Sequence, residues 1–283
     1  MTSLLLLDKP PGLTSFSAVL RVRKSLSVKK VGHTGTLDPM ATGVLPILLG
    51  GTTRFADYLP CHDKAYLAGF RLGIRTDTLD ITGSVIEEKP VHVTRGDVER
   101  ALAQFRGKIQ QVPPMVSALK RDGVRLYELA RRGVEIEREA REVEIYALRL
   151  VDDDTIYAEC SAGTYIRSLI DDLGRALGCG AAMTSLRRVK ANGYGIERCV
   201  TLEALEQGGE AGIIPIGEAL SAHPAVTVTP AQAVRFRNGG ALDLARLTLP
   251  CEGELYRVYG NEAFLGLGKI KAEELAVARL LVE

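Results

Sequence analysis

Residues 32 to 43 read Gly-His-Thr-Gly-Thr-Leu-Asp-Pro-Met-Ala-Thr-Gly, and no regular element can hold them. Glycine pays extra backbone entropy in a helix or strand, and proline removes a backbone N–H donor. Three glycines, one proline and three threonines in twelve residues therefore make a loop of defined shape. Such loops need an ordered frame, and they often carry function. The frame is legible on both sides. Leu4 to Lys9 reads as a buried strand ending in the turn Pro10-Pro11-Gly12. Thr14 or Ser15 caps a helix to about Leu26, with Phe16, Val19, Leu20 and Leu26 as its apolar residues. Val44 to Leu49 follows the loop as a short apolar strand.

Inside the loop stands one carboxylate, Asp38. By residue type alone it is a turn residue, a metal ligand, or a nucleophile or base, and a lone Asp before Pro favours the turn. His33 is the one other metal-ligating residue near it in sequence, and one His with one Asp does not make a metal site.

Lys64 to Leu72 alternates, with Tyr66, Ala68, Phe70 and Leu72 on one face. Thr94 and Asp97 have capping-box spacing and open a helix through Phe105. Val124 to Arg132 reads as a helix closed by Gly133. Val143 to Val151 and Thr155 to Ser161 read as strands joined at Asp152-Asp153-Asp154, and Thr164 to Leu177 as a helix before Gly178. The pattern breaks at Ile216 to Pro224. Short strands then follow at Ala225–Val228, Glu254–Tyr259 and Ala263–Ile270. Helices and strands mix without βαβ alternation, so the class is α+β: a large domain over 1–220 and a small β-rich domain over 224–283.

Composition bounds the function. Apolar residues at 46% and charged residues at 25% fit a soluble globular chain of 283 residues. A net charge of +1 does not announce nucleic acid, so local charge carries that argument. The most basic stretch holds Arg21, Arg23 and Lys24 with Lys29 and Lys30 after them. It is either an ordinary solvated face or a track for phosphates. Five scattered cysteines without a CxxC pair argue against disulfides and zinc, and for reduced thiols in a cytoplasmic protein. Leu4 to Leu7 is too short to be a signal peptide or to span a membrane. No GxGxxG, P-loop or metal-ligand cluster occurs. Taken alone, Tyr66 reads as a core aromatic, Arg167 as a surface or salt-bridging residue, Leu186 as core and His33 as a surface histidine.

The loop is similar to the signature loop of the bacterial tRNA pseudouridine-55 synthases, the TruB family. Further segments match that family in order: Asp8-Lys9-Pro10-Pro11-Gly12-Leu13-Thr14-Ser15, Gly50-Gly51-Thr52-Thr53-Arg54, Lys64-Ala65-Tyr66 and Gly73-Ile74-Arg75-Thr76-Asp77-Thr78. So do Gln111-Val112-Pro113-Pro114-Met115-Val116-Ser117-Ala118-Leu119-Lys120, Cys160-Ser161-Ala162-Gly163-Thr164-Tyr165-Ile166-Arg167 and Leu186-Arg187-Arg188. The resemblance implies a pseudouridine synthase fold with a long mixed or antiparallel sheet flanked by helices. It implies isomerisation of uridine 55 in the T-loop of tRNA, with tRNA as partner and no obligatory protein partner. Asp38 then matches the nucleophile, Tyr66 the aromatic stacked on the target base, and Arg167 the arginine paired with the nucleophile. His33 matches a residue that holds the RNA loop, and Tyr165 and Leu186 match the pocket wall. Lys29 and Lys30 are expected to track phosphates. The C-terminal piece resembles a small RNA-binding, PUA-like domain.

The chemistry suits these residue types. Uridine becomes pseudouridine by breaking N1–C1′, turning the uracil and forming C5–C1′. A carboxylate attacking C6 or C1′ gives a covalent intermediate. A neighbouring arginine is expected to keep it ionised by lowering its pKa. The target base is flipped out of the RNA to be reached. No atom is added and no redox change occurs, so no cofactor is expected. A non-catalytic RNA-binding protein on the same scaffold, or a sibling synthase guided by H/ACA RNA, are the competing readings.

Overall fold

The computed structural model describes residues 2–282 apart from 60, 118, 122, 210 and 211. Ala118, part of the motif over 111–120, thus lies outside the described residues.

The chain begins with β1 (Ser3–Lys9), α1 (Ser15–Ser25), β2 (Val31–His33), β3 (Thr42–Leu49), a 3-10 helix (Gly50–Tyr58) and β4 (Lys64–Leu72). A hairpin of β5 (Ile74–Thr76) and β6 (Val85–Glu88) precedes α2 (Arg95–Leu102) and β7 (Gly107–Gln111). Then come β8 (Lys120–Arg121), β9 (Val124–Arg125), α3 (Leu126–Arg131), β10 (Arg141–Asp152), β11 (Thr155–Cys160) and α4 (Ile166–Ala176). β12 (Ala181–Ala191), β13 (Tyr194–Gly195), β14 (Val200–Thr201), α5 (Leu202–Glu206), β15 (Ile213–Pro215) and α6 (Ile216–Ala219) follow. The chain ends with β16 (Ala225–Val228), α7 (Pro230–Arg237), β17 (Leu242–Asp243), β18 (Leu255–Gly260), β19 (Ala263–Lys271) and β20 (Glu274–Leu280).

The main sheet runs β14-β1-β3-β12-β4-β11-β10-β7, with β15 on β1, β2 on β3 and β13 on β12. It is mixed: β1/β14 and β3/β12 are parallel, and the other pairs are antiparallel. β1 shows why its run of leucines is unbroken. Leu5 and Leu7 enter one core with Val22, Leu45 and Leu173, whereas Leu4 and Leu6 enter another with Phe55, Leu220 and Leu267. A strand covered on both faces cannot alternate with polar residues. The second core also joins the main sheet to the C-terminal one, since Leu267 and Phe264 belong to β19 and the Phe55 and Phe264 rings lie 5.7 Å apart. That five-stranded sheet runs β16-β18-β19-β20-β17 over its own core of Val226, Phe236 and Tyr256.

Several local expectations need correction. In α1 the buried face is Ser15, Ala18, Val19 and Val22, while Phe16 is 67% exposed and Leu20 is exposed too. Small residues face inward there because the helix lies close to the loop: Ser15 Oγ receives the Leu37 N–H at 2.8 Å and donates to its carbonyl at 3.1 Å. The helix expected from Val124 starts at Leu126, because Val124 and Arg125 pair with β8 in a short hairpin. α4 starts two residues later than expected, and the helix after Thr94 ends at Leu102 with a 3-10 turn to Phe105. The capping box of Thr94 and Asp97 is present, and Gly133 after α3 has φ +70. All five cysteines are free. Among the described residues no helix is long and apolar enough to cross a membrane.

Candidate active site

Asp38 ends up where four separate segments meet. Its loop leaves β2 and enters β3, and β3 lies against β12. Gly43 closes the loop at φ +104, and a Cβ there would sit 2.1 Å from the Arg188 carbonyl oxygen. Only glycine allows so close an approach in that conformation. Gly12 N–H donates to the Pro39 carbonyl at 2.8 Å, so the N-terminal turn braces the loop from outside. Lys9 is wholly buried beneath it and donates to the carbonyls of Pro10, Leu13 and Pro39.

Arg167, in the first turn of α4, reaches Asp38 with two nitrogens. Nε is 3.0 Å from Oδ2, and Nη2 donates to Oδ1 at 3.2 Å. The same guanidinium donates to the carbonyls of Thr78 at 3.1 Å and Val116 at 2.8 Å, and Asp80 lies 3.9 Å away. The arginine side chain is 5% exposed, whereas the Asp38 side chain exposes 33%. The carboxylate is thus walled by protein yet open on one side. Burial pushes its carboxyl above the ordinary value; Arg167 pulls it back, Asp80 adds to the rise and Lys9 opposes it. Sequence reasoning expected the arginine to set a lowered pKa. The arginine does act that way, but desolvation outweighs it.

Tyr66 lies on β4 directly across from Arg188 of β12 and Ala158 of β11. It is buried, its phenol is pushed up by desolvation, and the Arg188 charge opposes that rise. Leu186, two residues back on β12, pairs with Ala68 and is buried on the same wall. Tyr165 caps α4, and Gln111 fixes its backbone from both sides. Its N–H donates to Oε1 at 2.7 Å, and Nε2 donates to its carbonyl at 2.9 Å. The Asp38 and Arg167 charges both bear on the Tyr165 phenol, which burial pushes up. His33 ends β2; its Nδ1 is buried without a hydrogen-bond partner among the described residues, and burial lowers its pKa. The Asp38 charge thus acts on Arg167, Tyr66 and Tyr165, Leu186 shares the core of Tyr66, and His33 stands at the start of the Asp38 loop. Lys29 and Lys30 stand apart on the surface before β2, exposed with Arg23 and Lys24. Arg21, also exposed, pairs at the surface with Glu206 through two bonds of 2.8 and 2.6 Å.

Sequence reasoning missed three charged groups at the site. Asp80 is buried and accepts from the Thr78 hydroxyl, the Thr82 hydroxyl and the Thr82 N–H. Hydroxyl residues two positions either side of it were the available signal. Lys9 and Arg188 stood inside quoted motifs without a role, because a buried lysine or arginine looks like a surface one in sequence.

The pattern defining the TruB family pseudouridylate synthase N-terminal domain matches residues 23–166. The tRNA pseudouridylate synthase B C-terminal domain matches 167–211, and the C-terminal domain of pseudouridine synthase II TruB matches 224–281. The chain belongs to the TruB family of pseudouridylate synthases. The tRNA pseudouridine synthase B of Clostridium kluyveri is 44% identical over 100% of both chains. That of Aromatoleum aromaticum is 48% identical over 94% of this chain and 87% of its own. Among solved structures, a chain of a Cbf5-Nop10-Gar1 complex superposes with a TM-score of 0.73 at 27% identity, covering 99% of this chain and 85% of that one. TruB membership thus agrees with the α+β architecture and with the mixed sheet that carries the site.

Proposed function

We propose that this TruB chain converts uridine 55 in the T-loop of tRNA to pseudouridine, with Asp38 as nucleophile on a base flipped out of the RNA. The observation that carries it is the Asp38–Arg167 pair: a carboxylate held by two nitrogens of a buried arginine and open to solvent on one side. A guanidinium fork orients a carboxylate more firmly than a point charge does. Full pairing on one side leaves the other free to attack C6 or C1′. The named relatives, tRNA pseudouridine synthases B, support tRNA as the substrate.

The other roles follow from position. Tyr66 gives a flat apolar face to the uracil, while Leu186 and Tyr165 wall the pocket so that the cleaved base turns without escaping. His33, half-buried at the end of β2, holds the RNA loop left behind. Lys29 and Lys30 contact phosphates. We propose that residues 1–220 form the catalytic unit and 224–283 a small RNA-binding unit. No cofactor and no obligatory protein partner takes part, and the enzyme works in the cytoplasm.

The test is release of tritium from a tRNA transcript carrying C5-tritiated uridine, using the chain alone. Release requires loss of the C5 hydrogen, which RNA binding cannot cause. Release from the parent, abolished by Asp38→Asn and by replacing uridine 55, is the expected result. No release without added guide RNA or protein would point to the guided type of synthase, and binding without release to an RNA-folding protein.

A further inference from the structure

Arg188 is among the largest fully buried side chains of the protein, at 1% exposure. Among the described residues no carboxylate pairs with it. Its guanidinium is spent on carbonyls: Nε donates to Val44 at 2.7 Å, Nη2 to Gly35 at 3.1 Å and Nη1 to Thr36 at 3.5 Å. Gly35 and Thr36 belong to the Asp38 loop, and Val44 follows it. A Cβ at Gly35 would lie 3.6 Å from Nη1, so the fork sits directly beneath the loop. Burying a cation without an anion is expensive, and backbone dipoles recover only part of the cost. Methionine or leucine would fill the same space without that penalty. Packing alone therefore does not explain an arginine here.

The ladder supplies the reason. Arg188 stands directly opposite Tyr66 on the neighbouring strand, where cross-strand partners share a face of the sheet, and its charge bears on the Tyr66 phenol. We propose that Arg188 is a positioning residue of the reaction, tying the Asp38 loop to the sheet and presenting an unneutralised cation to the Tyr66 hydroxyl. It is the counterpart of Arg167: one arginine orients the carboxylate, the other orients the loop that carries it and polarises the phenol. Cys160 from β11 and Asp38 from the loop both disfavour the ionised form of Tyr66. Arg188 itself bears on Lys9 from β1, His33 from β2 and Lys64 from β4, lowering the proton affinity of each. Its role depends on Asp38 and Tyr66 acting on the uridine as proposed above.

The test compares Arg188→Lys with Arg188→Gln in single-turnover assays on saturating, prefolded tRNA transcript across neutral and alkaline pH. Lysine keeps the charge and loses the fork; glutamine loses the charge. Both are expected to bind tRNA within about threefold of the parent and to react more slowly, lysine by about tenfold and glutamine by about a hundredfold. Only glutamine should displace the pH dependence of the rate, toward higher pH, because the phenol then loses the Arg188 charge that favours its ionised form. In a Tyr66→Phe background the glutamine penalty should shrink, since coupled groups are not additive. Losses confined to affinity would overturn the proposal, as would equal losses in the two variants with an unmoved pH profile. Should Arg188→Gln fail to fold, Arg188→Lys decides: an unchanged saturating rate refutes a positioning role. A parent that turns over the transcript, with Asp38→Asn inactive, keeps the underlying reading intact even if Arg188 proves dispensable.

Discussion

Asp38 is pulled both ways, up by burial and down by Arg167, and the upward pull is the larger. The folded state therefore holds the Asp38 proton to higher pH than the unfolded chain does. Above that range the ionised carboxylate costs stability, so Asp38→Asn should unfold at a temperature no lower than the parent at neutral pH. Its single-turnover rate should fall by several powers of ten, on the order expected when covalent catalysis is lost. A melting curve and a tritium assay on one preparation check both; a destabilised Asn variant would contradict the burial argument. In the parent, activity should fall with acidification already above the usual carboxylate range. Lys9 titrates in the opposite sense. Burial holds its ammonium at about 8 against an ordinary 10.5, with Asp38 opposing the drop and Arg188 adding to it. Between those values the unfolded chain is protonated and the folded one is not, so folding becomes more favourable as pH rises. The stability of the parent relative to Lys9→Met, from denaturant titrations, should grow from about 8 upward. At this scale the sequence named Asp38, Tyr66 and Arg167 but no role for Arg188 or Lys9. Their burial is set by strands that meet only in the fold.

The hairpin of β5 and β6 reaches the site through α4. Arg75 of β5 donates to Asp171 at 2.9 Å and to Glu87 of β6 at 3.1 Å, while Arg175 takes the other oxygen of Asp171 at 2.7 Å. Asp171 lies one turn after Arg167 on the same buried face of α4, so the network fixes the helix that carries the arginine paired with Asp38. Asp171→Asn should cost about 2 kcal/mol in denaturant titrations, less than a wholly buried pair because both arginines are partly exposed. Its catalytic loss should stay well below that of Arg167→Lys; a variant as stable as the parent would show that α4 is held by its apolar face alone. Legibility at this scale followed periodicity. β4 was read with the right bounds, although Ala65 and Gly69 on its other face are buried as well. β12 was not read as a strand: its middle mixes Thr184, Ser185, Arg187 and Arg188, and its pairing with β4 shifts register twice. The inward face of α1 was misassigned because Ser15 and Ala18, not the larger Phe16 and Leu20, lie against the body.

Over the whole molecule, charge is balanced and its distribution is not. Arg23, Lys24, Lys29 and Lys30 are exposed together, whereas the arginines of the site are buried and committed. Replacing Lys29 and Lys30 with Ala should weaken tRNA binding and flatten its dependence on salt by about two phosphate contacts, leaving the saturating single-turnover rate close to the parent's. Filter binding at several salt concentrations checks this, and an unchanged slope would remove both lysines from the interface. The α+β class was legible from the irregular order of helices and strands; the strand order was not. β1 pairs with β14 and β15, and β3 pairs with β12, contacts that join the first elements of the chain to much later ones. Seen from the ribosome, this has a consequence of its own. The segment holding Asp38 emerges early and waits, without its frame, while the residues that complete the sheet are still being made. Neither Arg167 nor Arg188 exists when the loop first leaves the tunnel. A nascent chain therefore has no half-built pocket with which to seize RNA, and the activity arises only once the last strands of the sheet close on the first.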